Sequence, residues 1–228
     1  MNDALSIAVL SAGVSDPSST RLLADRIAQK TIDTLRAAGT PATVTMIHLG
    51  PIAVDIARSL VSGFPNEAVQ EAVDRLAKAD AIIAATPVYK AGISGLFKSF
   101  ADLLDNDLLI AKPAILAATG GTARHAMVVD DQLRPLFAFL RAIPSPTSVY
   151  AAPEDWGSID LGKRIERAAT ELALLVRSGA PRDIADENWS SYAHQFGSNA
   201  TRADRTVADV NFDSDLMRLA AGGRPADD

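Results

Sequence analysis

Ser6-Ile-Ala-Val-Leu-Ser11, then Ala12-Gly-Val-Ser-Asp-Pro17, then Ser18-Ser-Thr-Arg-Leu-Leu23 is the stretch that decides the architecture. The short apolar run carries no helical stripe and ends in a polar loop, the pattern of a buried strand. From Ser18 to Ala38 the apolar residues Leu22, Leu23, Ile27, Ile32 and Leu35 recur at helical spacing, and Gly39 and Pro41 stop them. The same strand, loop and helix unit then recurs along the chain. Ala42 to Leu49 alternates and is rich in Val, Thr and Ile, a second strand. Ile52 to Val61 and Glu67 to Lys78 read as helices separated by the turn Ser62-Gly-Phe-Pro65. Asp80 to Thr86 is a third strand, ended by Pro87, and Ser94 to Leu104 a helix. Pro113 to Thr119 is a fourth strand, ended by Gly120 and Gly121, and Asp130 to Arg141 a helix. Ser148 to Ala151 is a short fifth strand, and Leu161 to Ser178 is the last strong helix.

Strands alternating with helices of this length imply βαβ units around a parallel sheet. Five such units favour an α/β, flavodoxin-like, doubly wound sheet with strand order 2-1-3-4-5. Residues 1–180 form this domain. Residues 181–228 read differently: Asp, Ser, Asn and Gly dominate and the apolar pattern thins. Asp183 to Asp228 holds nine acids against five arginines from Arg182 to Arg224. Asn211 to Leu219 has the composition to cap and start one short helix. Trp189, Tyr192, Phe196, Val207, Val210, Phe212, Leu216, Met217 and Leu219 are apolar anchors spaced along this polar strap. That spacing suits an extension docked on the domain or on a partner subunit, the alternative being a free tail kept in solution by its acids.

Composition narrows the chemistry. The chain has 228 residues, 48% hydrophobic and 22% charged, enough to bury a sizeable core. It contains no cysteine, which removes disulfides, thiolate metal ligands and thiol nucleophiles together. The net charge of −6 gives no basic footprint for nucleic acid. No apolar run approaches the ~18 residues that span a bilayer. Met1-Asn2-Asp3-Ala4 carries acid where a signal peptide carries base. A cytoplasmic protein without nucleic-acid or membrane partners is expected.

Three polar loops follow strands one, three and four, which are neighbours in a 2-1-3-4-5 sheet. Their carboxyl ends flank the switch point, the crevice where open α/β sheets bind ligands. The first loop, Ser11 to Arg21, leads into a long helix, whose leading amides and dipole attract an anion. Ser18, Ser19 and Thr20 add hydroxyls and Arg21 a charge, so a phosphate fits. A Ser18 N-cap in a Ser/Thr-rich turn explains the same residues without a ligand. The loop lacks the Gly-Lys-Ser/Thr of a Walker loop and the glycines of the dinucleotide fingerprint. The second loop, Thr86-Pro-Val-Tyr-Lys90 through Gly92 to Lys98, puts Tyr89 and Lys90 where a flat ring would bind, or where they merely cover the sheet. The third, Thr119-Gly-Gly-Thr-Ala-Arg-His125, exposes backbone amides to a ligand or forms a plain turn. No His or carboxylate group has metal spacing, and no Ser-His-Asp set emerges.

Taken in order, Ser11…Ser18-Ser-Thr-Arg21, Thr86-Pro-Val-Tyr-Lys90, Gly95-Leu-Phe-Lys98…Asp102, and Lys112-Pro…Thr119-Gly-Gly-Thr122…Leu133-Arg-Pro135 resemble the NADPH-dependent FMN reductases. The similarity runs over Leu5 to Ser178 and points to the type that partners two-component alkanesulfonate or luciferase-like monooxygenases. It implies FMN in the crevice and NADPH or NADH as co-substrate. Ser11, Ser18, Ser19, Thr20 and Arg21 would hold the FMN phosphate. Pro87, Val88 and Tyr89 would line the ring, with Lys90 bordering the site. Thr119, Gly120, Gly121 and Thr122 would complete the other edge. Family members form dimers and tetramers, and the helix from Gly95 to Asp105 would help build that interface.

Hydride would pass to the flavin with no side chain acting as catalyst, and reduced FMN would supply a monooxygenase. The alternatives on the same scaffold are an FMN-containing quinone or azo reductase and a flavodoxin-type electron carrier. A phosphoacceptor receiver domain is disfavoured by Ser11 and Thr86 standing where that fold needs acids. One departure stands out: where some relatives carry an aromatic residue or His after the first Asp of Val-Asp-Asp-Gln-Leu-Arg-Pro, this chain has Asp131.

Overall fold

The computed structural model of the chain describes residues 4–188. Trp189 and the other anchors of the extension, and the expected helix at Asn211 to Leu219, lie outside the described residues.

The sheet is built from β1 (Leu5–Ser11), β2 (Ala42–His48), β3 (Ala81–Tyr89), β4 (Gly92–Ile93), β5 (Pro113–Thr119), β6 (Ile143–Pro144) and β7 (Val149–Ala151). The strands β2-β1-β3-β5 lie side by side and parallel. The outer edge of β5 is shared by β6, at Pro113 and Ala114, and by β7, at Ala117 to Thr119. The expected fifth strand is β7, β6 is a short addition ahead of it on the same edge, and the order 2-1-3-4-5 holds with the two counted as one position. β4 stands apart, folding back antiparallel on the end of β3.

Alternation along the strands divides the core into two layers. Ala8, Leu10, Ile82, Ala84, Leu116 and Ala118 face one layer, and Ile7, Val9, Ile83, Ala85, Ile115 and Ala117 face the other. The second layer is closed by α1 (Ser19–Ala37) and α6 (Ile159–Arg177), through Leu23, Ile27, Leu35, Leu161, Ile165 and Leu172. The first is closed by α2 (Ala53–Ser62), α3 (Glu67–Lys78), α4 (Gly95–Ala101) and α5 (Arg134–Phe139), through Ile56, Val73, Leu76, Phe97, Phe100 and Phe137. Cover on both faces explains why β3 and β5 read as nearly continuous apolar runs.

Four local differences from the sequence expectation have physical causes. β3 does not stop at Pro87. The carbonyl of Ala85 accepts from the Ala12 amide on the β1 side, and Pro87 faces that same side one pleat further on, past the end of β1. Its missing N–H therefore removes no ladder bond. α4 ends at Ala101 rather than Leu104, and turns carry the chain to Lys112. The helix expected from Asp130 begins instead as a π turn at Val129–Leu133 before α5. Finally, α7 (Ala180–Asn188) runs on beyond residue 180, with Pro181 buried and Arg182 Nη2 2.9 Å from Asp80 Oδ1.

Candidate functional site

The carboxyl ends of β1, β3 and β5 are adjacent, so the three polar loops meet at one end of the sheet. The first loop leaves β1 at Ser11, whose hydroxyl is fully buried and has no hydrogen-bond partner among the described residues. Burying a hydroxyl unpaired is costly, so this oxygen marks a place where a partner belongs. The loop is drawn tight on itself: a Cβ on Gly13 would fall 2.1 Å from Ser18 Oγ. Ser18 caps α1, its Oγ accepting from the Arg21 amide at 3.2 Å, so its own proton is available to donate outward. The Ser19 and Thr20 amides, ahead of Arg21 in the first turn, have no intrahelical acceptor. The first turn of this 19-residue helix holds no acid. Arg21 is largely exposed, its Nε 3.9 Å from Asp25 Oδ2, a loose pair that leaves most of the guanidinium facing water.

Thr20 sits differently from its neighbours. It is buried, and its Oγ1 lies 2.7 Å from Thr119 Oγ1 at the end of β5. The pair ties the first loop to the third from beneath. The third loop is braced again from behind: Tyr150 Oη donates to the Thr122 carbonyl at 2.6 Å and passes so close to Gly120 that a Cβ there would sit 2.2 Å from it. Gly120 is thus required by Tyr150. Gly121 and Thr122 are exposed at the rim.

In the second loop, Thr86 is buried and its Oγ1 accepts from the Ser94 amide at 3.1 Å, closing the base of the β3–β4 hairpin. Pro87 is buried, Val88 half-buried, and Tyr89 and Lys90 exposed. An apolar step therefore rises from the core to an exposed aromatic ring beside the crevice.

His48, at the end of β2 and paired in register with Ser11, was not singled out by sequence reasoning. Burial first, and then the Arg21 guanidinium, push its imidazole below the usual pKa, against the opposing pull of Asp25. A lone histidine after an alternating strand carries no signal of its own. Only the parallel pairing of β1 with β2 brings it to the first loop. Among the described residues no group of His, Asp or Glu is arranged to hold a metal ion.

A cleft of about 930 Å³ opens at the opposite, amino-terminal end of the sheet. Its size does not make it the reactive site. Lys112 Nζ is committed to the Ala77 and Ala79 carbonyls, and Asp80 to Arg182 and the Ser6 amide. The unpartnered buried hydroxyl, the helix start and the exposed ring all lie at the other end.

This geometry fits a flat ring carrying a phosphate. The hydroxyls of Ser11, Ser18 and Ser19, the first-turn amides of α1 and Arg21 are a donor set for a phosphate, and Pro87 to Tyr89 with Gly120 to Thr122 flank space for a ring. Comparison with known proteins identifies the family. Residues 5–157 match the family model described as NADPH-dependent FMN reductase. An NADH-dependent FMN reductase, SfnE of Pseudomonas putida, is 36% identical over 184 residues, covering 81% of this chain and 93% of that protein. An FMN reductase (NADPH) of Pseudomonas aeruginosa is 36% identical over 180 residues, covering 77% of this chain and 94% of its own length. Among solved structures, an oxidoreductase from Corynebacterium diphtheriae is 42% identical with a TM-score of 0.74, covering 77% of this chain and 98% of that one. The NADH:FMN oxidoreductase EMOB is 25% identical with a TM-score of 0.66, covering 91% and 100%.

Proposed function

Because this chain belongs to the NADPH-dependent FMN reductase family, we propose that its three loops hold FMN for reduction by a nicotinamide nucleotide and that the reduced flavin goes on to a flavin-dependent monooxygenase. The activity is that of an NAD(P)H:FMN oxidoreductase. The observation that carries the site assignment is the buried, unpartnered Ser11 hydroxyl beneath a helix start free of acids.

FMN supplies the hydride-accepting ring. The chain binds and orients it. Ser11, Ser18, Ser19 and Arg21 hold the phosphate, aided by the first-turn amides of α1. Thr20 and Thr119 fix the spacing between the first and third loops through their mutual hydrogen bond. Pro87, Val88 and Tyr89 line the ring, and Gly120, Gly121 and Thr122 its other edge. Lys90 stands at the exposed end of the hairpin, where it meets the nicotinamide nucleotide. No side chain is needed to move a proton, which suits a site whose loops hold no cysteine and no paired carboxylates.

Loss of FMN on gel filtration is expected of a reductase that exports its flavin. Firm retention with turnover of quinones or azo dyes would favour the alternative reading. A homodimer or homotetramer, with α4 near the interface, follows the family pattern. A cytoplasmic location suits the absence of cysteine, and among the described residues no helix is long and apolar enough to cross a membrane.

Tyr89 tests the assignment because it is 52% exposed, so removing its ring costs the fold little. Tyr89→Ala is expected to lower FMN-dependent NAD(P)H oxidation by about tenfold. Wild-type rates in that variant would place the ring elsewhere.

A further inference from the structure

The hairpin that carries Tyr89 and Lys90 is not secured by its own sequence. β3 and β4 pair Val88 with Ile93 and Tyr89 with Gly92, leaving Lys90 and Ala91 as a two-residue turn. Both central residues are left-handed, with φ of 50° and 62°. Asn and Gly usually fill such positions, because a Cβ there is strained. Something outside the turn has to hold it.

Gln132 does so with both ends of its amide. Its Oε1 accepts from the Ile93 N–H at 3.1 Å, and its Nε2 donates to the Ala91 carbonyl at 3.2 Å. The side chain lies directly on Gly92, where a Cβ would come within 3.1 Å of Oε1. The backbone of Gln132 is itself anchored on both sides within the Val129–Leu133 π turn. Asp130 Oδ1 accepts from Arg134 Nε at 2.9 Å and from Ser148 Oγ at 2.6 Å. Arg134 also donates to the Ser145 and Pro146 carbonyls at 3.0 and 3.2 Å. Hydrogen bonds on either side of the π-turn backbone thus link the segment before β7 to the tip of the hairpin.

We propose that Gln132 is a positioning residue for flavin reduction, holding the left-handed turn so that Tyr89 and Lys90 stand against the flavin and the nicotinamide nucleotide. The inference rests on the assignment of those two residues made above. Because Gln132, Lys90 and Ala91 are all exposed, water replaces the lost bonds when Gln132 is removed, and global stability changes little. The local conformation of the turn does change, since beyond the two-pair β3–β4 ladder it is the Gln132 amide that opposes the strain. Stability and positioning therefore separate.

The test uses the full chain with Gln132→Met, which removes both bonds at similar length, and Gln132→Glu, which keeps the acceptor for Ile93 and loses the donor to Ala91. In flavin-free protein, exchange of the Ile93 amide hydrogen is expected to quicken by about tenfold in the Met variant and to stay near wild type in the Glu variant. The single-turnover rate constant for reduction of bound FMN by excess NADPH or NADH does not depend on how much of the sample is active. It is expected to fall by about tenfold in the Met variant and about threefold in the Glu variant. Unchanged exchange in Gln132→Met, or quickened exchange with a wild-type rate constant, overturns the proposal. A wild-type protein that fails to reduce FMN would instead overturn the flavin assignment, while the exchange measurement still decides whether Gln132 clamps the turn.

Discussion

At the scale of single residues, the loops divide into groups that face the crevice and groups that hold it in shape. Thr20, Thr119 and Tyr150 belong to the second kind, Gly120 is kept bare by Tyr150, and in the proposed function Ser11, Ser18, Arg21 and Tyr89 belong to the first. Residue type cannot separate them in a sequence, because a threonine that donates to a phosphate and one that braces a neighbouring loop look alike. Burial and the 2.7 Å contact between Thr20 and Thr119 make the distinction. The Gly120 contact yields a double-mutant test. Gly120→Ala drives a Cβ into Tyr150 Oη and is expected to cost about 1–3 kcal/mol in denaturant unfolding. In a Tyr150→Phe background, which removes that oxygen, the further cost of Gly120→Ala should be smaller, and equal costs in both backgrounds would show that Tyr150 is not what excludes the methyl group. His48 gives a pH dependence. Its folded pKa lies below the unfolded value, so the unfolded chain binds the proton first. The contribution of His48 to stability is therefore full above the unfolded pKa of about 6.5 and declines as pH falls from there toward the folded pKa. His48→Gln should flatten that part of the stability profile.

At the scale of elements, most of the architecture was legible and the exceptions share a cause. The strands β1, β2 and β5 and the helices α1, α3 and α6 announce themselves through apolar period and clear stops such as Gly39 with Pro41. The β3–β4 hairpin does not, because Lys90 and Ala91 carry no turn signal and depend on Gln132, far along the chain. The π turn is hidden for a similar reason: one extra residue in a hydrogen-bonded turn barely disturbs the spacing of Val129 and Leu133. α7 is hidden at the start of the polar extension because its acidic sequence shows no strong stripe. Its docking is local and testable. The Arg182–Asp80 pair is exposed on the arginine side, so Arg182→Ala is expected to cost no more than about 1 kcal/mol. Asp80→Ala should cost more, because Asp80 also accepts from the Ser6 amide at 2.9 Å and secures the entry to β1. Equal costs measured by denaturant unfolding would mean the Ser6 bond contributes nothing.

At the scale of the molecule, a sheet covered on both faces leaves its ends as the places where ligands enter. The strand order puts β1, β3 and β5 side by side, and the loops that follow them are the ones with unusual composition. That placement is readable in the sequence, because order and alternation follow from βαβ units. Which hydroxyl lacks a partner is not, since it depends on how the loop closes over Ser18. The claim that joins sequence, fold and function is that the first loop holds the phosphate of FMN. Equilibrium binding of FMN and of riboflavin, which lacks the phosphate, to wild-type protein and to Arg21→Ala tests it most directly. A charge-assisted hydrogen bond contributes about 1.5–3 kcal/mol, so the variant should bind FMN about ten- to a hundredfold more weakly. Its affinity for riboflavin should stay close to that of the wild type. Equal losses for the two flavins would contradict the assignment of Ser11 to Arg21 as the phosphate site.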